Sequence, residues 1–421
     1  MDNLKIIYIS YDGMTDPLGQ SQVLPYLIGL SSFNFEIHLI SFEKQDKFLN
    51  KKQDIELLIK DKSIVWHPLK YHQKPPVLST LYDLWNLNQK ANEIIALNKI
   101  SIIHCRSYIS SLIGLSIKRK KGIPFLFDMR GFWADERIDG KIWNLSNPIF
   151  KLIYNYFKRK EREFICESNH IVSLTENAKN EILKWPLNLK INPKIKVIPC
   201  CADLDHFSLN KINSSTNKEW QLKIGISDHD FVISYIGSLG TWYLIDEMMD
   251  LFKEAQSKVS SCKFLIITAD NPEIAFQAAR KCGISENSII VKKAERSEVP
   301  YLIALSKFSI FFIKPSYSKK ASSPTKLAEI LGMGVPVICN NNVGDVESIV
   351  EKGKVGFVLK DFNKAEYEKI INKMLDFLPL ANHKMISNYA NHYASLKDGI
   401  KKYYEVYVEI LNATHDDKTR L

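Results

Sequence analysis

The chain is short of several features that would fix its class at once. No stretch approaches the roughly 20 consecutive apolar residues that a membrane-spanning helix needs. The opening, MDNLKIIYISYDG, runs straight into a strand-like segment without the layout of a secretory leader. Its 7 cysteines in 421 residues follow no disulfide or metal-ligand spacing, and the adjacent Cys200 and Cys201 lack the C-x-x-C geometry of a redox pair. Free thiols in a reducing, cytoplasmic compartment are the expectation. There is no G-x-G-x-x-G and no G-x-x-x-x-G-K-[ST], which excludes a dinucleotide fingerprint and a Walker loop. No Asp-x-Asp stands in a strand–loop setting suited to a metal, so no metal site is expected.

What is present is positive charge. The net charge of +10 implies an anionic partner. With no helix-turn-helix, zinc finger or aromatic RNP-like pair, nucleic acid is not expected. An anionic membrane surface and a phosphorylated substrate remain.

A chain of 421 residues predicts two domains. In the first half, apolar runs (LKIIYIS, FEIHLISF, SIVWHPL, SIIHCRS, IPFLFDMRG, HIVSLTE) alternate with helical patterns near 79–97, 109–119 and 148–168. A further helix begins close to Val23 or Leu24, where Pro25 falls in its first turn. This alternation predicts a parallel, doubly wound α/β sheet, whose ligands lie beyond the carboxyl ends of the strands. The polar residues at those ends are Asp12 and Gly19, His104 and Arg106, Asp128 and Arg130, and Thr175 with Glu176. Singly, each is equally an ordinary structural residue; together they predict a shared cleft. Gly19, in DPLGQSQ, precedes a helix start whose free amides suit phosphate, and it is also simply a turn glycine.

The helix in NPIFKLIYNYFKRKEREF offers two readings. Phe150, Ile153, Tyr154 and Phe157 beside Lys158, Arg159 and Lys160 suit an anionic lipid surface. A plain domain helix with a solvated charged face fits equally.

After a polar junction near 204–230, βα units resume: FVISYIGSLGTW, KFLIITA, SIIVKKA, FSIFFIKPS, VPVICN and GFVLKD. Between the fourth and fifth of these runs lies SSPTKLAEILGMGVPVI. Pro324 and Thr325 mark a helix start, and Lys326 and Glu329 share one face a turn apart. Free amides and Lys326 can receive a diphosphate, and Glu329 can accept from a ribose's vicinal hydroxyls. A surface lysine–glutamate pair is the plainer alternative.

From Pro315, PSYSKKASSPTKLAEILGMGVPVI resembles the PSxxEGFGxxxLEAMAxGxPVI stretch of the retaining family 4 glycosyltransferases, the sucrose-synthase-like group with the GT-B fold. Glu329 falls on the family's second glutamate, which holds the nucleotide ribose. Ala321 replaces the first, which contacts the donor sugar, and the run is two residues longer. IPCCADLDHF and IVSLTENAK resemble further family segments. YIGSLGTW, with Gly237 and Ser238, is similar to the family's pyrophosphate cradle, but Thr241 and Trp242 stand where its lysine is usual. By the resemblance, Lys326, Lys319 or Lys320 supplies that charge, with Thr325 at the helix mouth. PLGQSQ resembles the first-domain glycine loop, with Gly19 facing phosphate. Asp128 and Arg130 replace the family's His-Asp, leaving His104 as the nearest histidine.

The resemblance implies two Rossmann-like domains facing across a cleft, 1–205 plus 395–421 and 206–394, with a C-terminal helix crossing back. It implies a metal-independent transfer of sugar from a nucleoside-diphosphate sugar to a glycan or lipid-linked acceptor, with Lys326, Arg130, Asp128 and His104 as catalytic candidates. A cytoplasmic enzyme, peripheral on the inner face of the membrane, would fit. A nucleotide-sugar 2-epimerase and an inactive nucleotide-sugar-binding protein are the alternatives.

Overall fold

A computed structural model describes residues 4–187 and 192–419, and the side chains up to residue 413. The chain divides into two compact units, Met1–Pro199 with Leu396–Leu421, and Cys200–Ser395.

The first unit holds a seven-stranded sheet of order β3-β2-β1-β4-β5-β6-β7. Its strands are β1 (Leu4–Ser10), β2 (Phe35–Glu43), β3 (Ile64–Lys70), β4 (Ile100–Arg106), β5 (Phe125–Asp128), β6 (His170–Ser173) and β7 (Ile195–Val197). Every pairing is parallel. The inner strands are apolar on both faces because helices cover both, so Ile6, Ile7, Ile9, Ile102, Ile103 and Leu126 are buried whichever way they point. The strand order reverses between β1 and β4, where a crevice opens at the carboxyl ends of such sheets. Register aligns the polar residues there: Tyr8 lies opposite His104, and Arg106 opposite Asp128.

The second unit repeats the plan with six parallel strands in the order β10-β9-β8-β11-β12-β13. These are β8 (Phe231–Ile236), β9 (Cys262–Ile267), β10 (Ile289–Lys292), β11 (Phe308–Phe311), β12 (Val337–Asn340) and β13 (Gly356–Leu359). Here the order reverses between β8 and β11.

Three segments differ from the sequence reading. PLGQSQ is a short helix, Pro17–Gln22, ahead of Leu24–Ser31, and Val23 between them departs from helical geometry. The segment after β2 is a helix, Gln45–Ile59, hidden in the sequence because its buried face is only Ile55 and Ile59. The polar junction contains the helix Ser214–Ile224, capped by a reciprocal Asn213–Thr216 box and anchored by Trp220 against Val232, Leu265 and Leu302. One aromatic anchor leaves little periodicity to read.

The helix Pro148–Glu167 buries Phe157 and Phe164 and leaves Phe150, Ile153 and Tyr154 half-buried. Phe157 is buried against Trp133, ring centres 4.8 Å apart, and the Tyr154 hydroxyl donates to Asp135 at 2.8 Å. Lys158 is not a free cation: it bonds Asp135 at 2.9 Å and also Glu161, which is buried. These carboxylates draw the lysine down, whereas Arg159 and the apolar Ile149 and Leu152 stay exposed on the same helix. Among the described residues, no helix is long and apolar enough to cross a membrane.

The C-terminal helix Leu396–Thr419 belongs to the first unit. Its Tyr403, Val406, Tyr407 and Ile410 are buried, with Tyr403 edge-on to Tyr26 and Tyr407 edge-on to Phe35. Each such side chain contributes roughly 1.5–3 kcal/mol, enough in sum to hold the helix on the sheet.

Candidate functional site

In the second unit the site is built around the end of β8. Gly237 has φ +134°, a conformation glycine adopts without penalty. Its amide donates to the Ile267 carbonyl at 3.0 Å, and a Cβ there would meet the Lys326 ammonium. The backbone therefore calls for glycine here, and the tip of Lys326 occupies the space beside it. Lys326 comes from the helix Thr325–Gly332, whose first turn has no side-chain cap. Pro324 stays extended ahead of it, so the helix starts at Thr325.

Lys326 is buried, and no carboxylate lies within salt-bridge distance of its Nζ among the described residues. The Nζ sits 3.6 Å from the Tyr243 ring centre and 4.6 Å from that of Tyr235. It also lies 3.4 Å from the Tyr235 hydroxyl, which itself donates to the Ser238 carbonyl at 2.5 Å. Burial pushes the lysine's pKa well below its ordinary value, and the field of Glu329 opposes this only in part. Lys319 is the companion cation: it is buried, with its Nζ 3.6 Å from the Trp242 ring centre. Its carbonyl accepts from the Gly344 amide at 2.7 Å, which ties its short turn to the loop after β12. Trp242 and Tyr243 are consecutive, so both lysines converge on the glycine loop. Lys320 instead lies over Tyr317 within its own turn.

Glu329 lies one turn beyond Lys326. Burial raises its pKa, and Arg296, with Nη1 at 3.5 Å, opposes the rise. The Arg296 guanidinium lies over the Phe207 ring, and its carbonyl pairs with His206 Nε2 at 3.0 Å. Arg296 was not singled out in the sequence. It stands in AERSEV, a polar loop with no periodicity, and only the fold brings it to Glu329.

In the first unit, Asp128 is the hub. Its Oδ2 accepts from the Tyr403 hydroxyl at 3.0 Å, lies 3.4 Å from His104 Nε2 and 4.0 Å from the Arg106 guanidinium. Its Oδ1 lies 3.9 Å from Arg130 and has no hydrogen-bond partner among the described residues. Burial pushes the Asp128 pKa up, but Arg130, His104 and Arg106 outweigh it and hold the carboxyl below its ordinary range. Arg130 stands at φ +55°, beside Gly131 at φ +125°. A non-glycine residue held there stores strain of about 1–3 kcal/mol and is common where a side chain must be aimed.

His104 is closed in. Its Nδ1 pairs with the Tyr407 hydroxyl at 2.8 Å and its Nε2 with Asp128, and burial lowers its pKa despite that carboxylate. With both ring nitrogens engaged, it orients Asp128 rather than facing an open surface. Arg106 reaches Asp12 from its Nε at 3.4 Å, so the ends of β1, β4 and β5 share one charged network. Tyr403 and Tyr407 were legible only as apolar positions of the last helix; their hydroxyls supply the partners.

Gly19 has a structural duty. A Cβ on it would run into the Gly13 carbonyl and Met14 Cα. The loop it packs against is fixed by Glu43, a buried carboxylate that accepts from the Met14 amide at 2.7 Å, the Thr15 amide at 3.1 Å, and the Thr15 and Ser41 hydroxyls at 2.6 Å. The amides of residues 14 and 15 are thus already engaged. Thr175 caps the helix Glu176–Ile182 by accepting from the Ala178 amide at 3.0 Å.

Gly237, Ser238, Lys319, Lys326, Thr325 and Glu329 therefore gather in one unit, and His104, Asp128 and Arg130 in the other. No group of three or more His, Cys, Asp or Glu side chains able to hold a metal occurs among the described residues.

Residues 26–206 match the model described as Glycosyltransferase Family 4, and residues 216–392 that of Glycosyl transferases group 1. Among solved structures, a glycosyltransferase from Rickettsia africae is similar, at 18% identity and TM-score 0.69, over 98% of this chain and 99% of that one. Sucrose-phosphate synthase from Thermosynechococcus elongatus is similar at 12% identity and TM-score 0.71, over 98% and 100%. HepE from Anabaena, in complex with UDP-glucose, is similar at 14% identity and TM-score 0.65, over 96% and 99%. No curated protein matches the chain in sequence. With both sheets doubly wound and each half matched by a glycosyltransferase model, the chain belongs to the two-domain GT-B glycosyltransferases of family 4.

Proposed function

We propose that this glycosyltransferase moves a sugar from a nucleoside-diphosphate sugar to a glycan or lipid-linked acceptor, without a metal and with retention at the anomeric carbon. The observation that carries the reading is the Lys326 ammonium set against Gly237, at the mouth of the helix Thr325–Gly332. As the anomeric carbon–oxygen bond breaks, negative charge grows on the departing diphosphate, and preorganised cations and amides act where that charge develops. Lys326, Lys319 and the amides at Gly237–Ser238 and Thr325 fill this role. Glu329 accepts from the ribose hydroxyls, with the Arg296 guanidinium paired to its carboxylate. The UDP-glucose held by the Anabaena relative makes a uridine diphosphate sugar the first donor to try.

Retention follows when the acceptor oxygen attacks from the face the diphosphate leaves. The new carbon–oxygen bond replaces the old one, and the acceptor's proton passes to a phosphate oxygen. Within the first unit taken by itself, Asp128, held by His104, Tyr403 and Arg130, is the group we assign to acceptor recognition. The enzyme works in the cytoplasm at the inner face of the membrane. The test is mass spectrometry of a sugar-nucleotide panel with membrane lipid extract as acceptor. A transferred or slowly hydrolysed sugar is expected. A 2-epimerised nucleotide sugar, or binding without turnover, would refute it.

A further inference from the structure

We infer that the turn and first two turns of the helix Leu78–Leu97 form a surface that docks the first unit on an anionic lipid bilayer. The helix buries Ser79, Asp83, Leu87, Ala91 and Ile94, and at its start it shows an apolar face to solvent. Leu78 is 63% exposed, Leu81 56%, Tyr82 51% and Trp85 56%, with Val77 exposed just ahead. Residues 78, 81, 82 and 85 share one helical face. Scattered exposed leucines need no explanation, but a contiguous aliphatic and aromatic ridge does.

Charge identifies the occupant. From Lys70 to Lys90 the only acid is Asp83, and it is fully buried. Lys70 and Lys74 are exposed and form no ion pair among the described residues. Apolar residues flanked by unpaired cations suit an anionic bilayer, where the ridge enters the interface and the cations meet headgroups. Aliphatic Val77, Leu78 and Leu81 fit acyl chains better than the flat faces of sugars. The rim is also held stiffly. Asp83 accepts from the Tyr11 hydroxyl at 2.8 Å and pairs with His72 Nδ1 at 2.6 Å, while the His72 ring stands edge-on to Tyr82, whose ring stacks with Trp85. Val77 sits at φ +69°, a conformation β-branched residues avoid.

Tyr11 follows β1 directly, and the next residue, Asp12, meets Arg106. The ridge is therefore fastened to the same sheet rim as the Asp128 network. Docking would hold that network at the bilayer surface, which selects an acceptor carried on lipid. This consequence rests on the transfer reading above, whereas the docking does not.

The experiment is sedimentation of the full chain with phosphatidylcholine vesicles, with and without phosphatidylglycerol, at low and high salt. Binding is expected only with the anionic lipid, and it should weaken with salt. Leu78→Ser with Leu81→Ser, and separately Lys70→Gln with Lys74→Gln, should each weaken it on the order of tenfold, with melting temperature and donor hydrolysis unchanged. Brominated lipids should quench a part of the tryptophan emission that Trp85→Phe removes. Wild-type binding by both double variants, no binding by the parent chain, or a dimer that the leucine variant dissociates would overturn the proposal. Donor hydrolysis, read separately, reports on the transfer reading alone.

Discussion

Lys326→Met removes a buried charge while nearly preserving volume, and it separates stability from binding. In the folded chain the ammonium has two ring faces, at 3.6 and 4.6 Å, and no carboxylate in salt-bridge contact. Ring contacts of this kind contribute about 0.5–2 kcal/mol each. Desolvating an ammonium costs several kcal/mol even after relaxation. Desolvation wins, as the depressed pKa records. The methionine variant should therefore fold at least as stably as the parent.

The sign of the pH dependence follows. A free lysine holds its proton to about pH 10.4. Between the depressed folded value and that point, the unfolded chain binds more protons, so the parent gains stability as pH rises. The variant lacks that gain, and its stability advantage should shrink as pH climbs. Donor binding should move the opposite way. Removing a charge-assisted contact to the diphosphate costs ~1.5–3 kcal/mol, about 10- to 150-fold in Kd. Calorimetry with UDP, paired with denaturant melts from pH 6 to 10, reads both. A stable variant that binds UDP as the parent does would remove Lys326 from the diphosphate site.

Glu329→Gln should weaken donor binding by ~1.5–3 kcal/mol, and calorimetry with a nucleotide lacking both ribose hydroxyls should show no difference between variant and parent. Gly19→Ala places a methyl against the Gly13 carbonyl, and overpacking of this kind costs about 1–3 kcal/mol; an unchanged melting temperature would contradict the packing described. Lys158→Gln leaves Asp135 and buried Glu161 without their cation, so thermal melts should show destabilisation of about 3 kcal/mol or more, whereas a lipid-facing lysine would be replaced at little cost. Asp128→Asn should remove one step of acid unfolding. The depressed Asp128 carboxyl stabilises the fold above its ordinary pKa, and that stability is lost as pH falls through the folded value; identical acid midpoints would refute this.

The fold was legible because two periods speak plainly. β1, β4, β8 and β12 are short apolar runs buried on both faces, and the helices between them carry regular apolar stripes. Where the signal failed, the buried face was small. Gln45–Ile59 shows two apolar anchors, and Ser214–Ile224 one. The Pro148–Glu167 helix, for which the sequence left two readings open, is a different case. Its periodicity was read correctly, but periodicity does not say which face meets the protein. Asp135, which precedes the helix in sequence and lies on a separate element, is what captures Tyr154 and Lys158.

The site divides along the same line. Lys326 and Glu329 were visible because three-residue spacing on one helix fixes their mutual direction before any tertiary structure is known. Their partners were not, because Tyr243, Tyr235 and Arg296 reach them across other elements. The first unit makes the point more sharply. His104, Arg106 and Asp128 were named from strand ends, and parallel register does set Arg106 level with Asp128. Yet what makes Asp128 a hub is Tyr403, 275 residues downstream, with Tyr407 behind it holding His104. In sequence those tyrosines are simply the apolar face of an amphipathic helix. Their rings serve that packing, and their hydroxyls, which no hydrophobic pattern reveals, complete the buried polar network. A residue that does both jobs looks like core until the fold shows what its one polar atom touches.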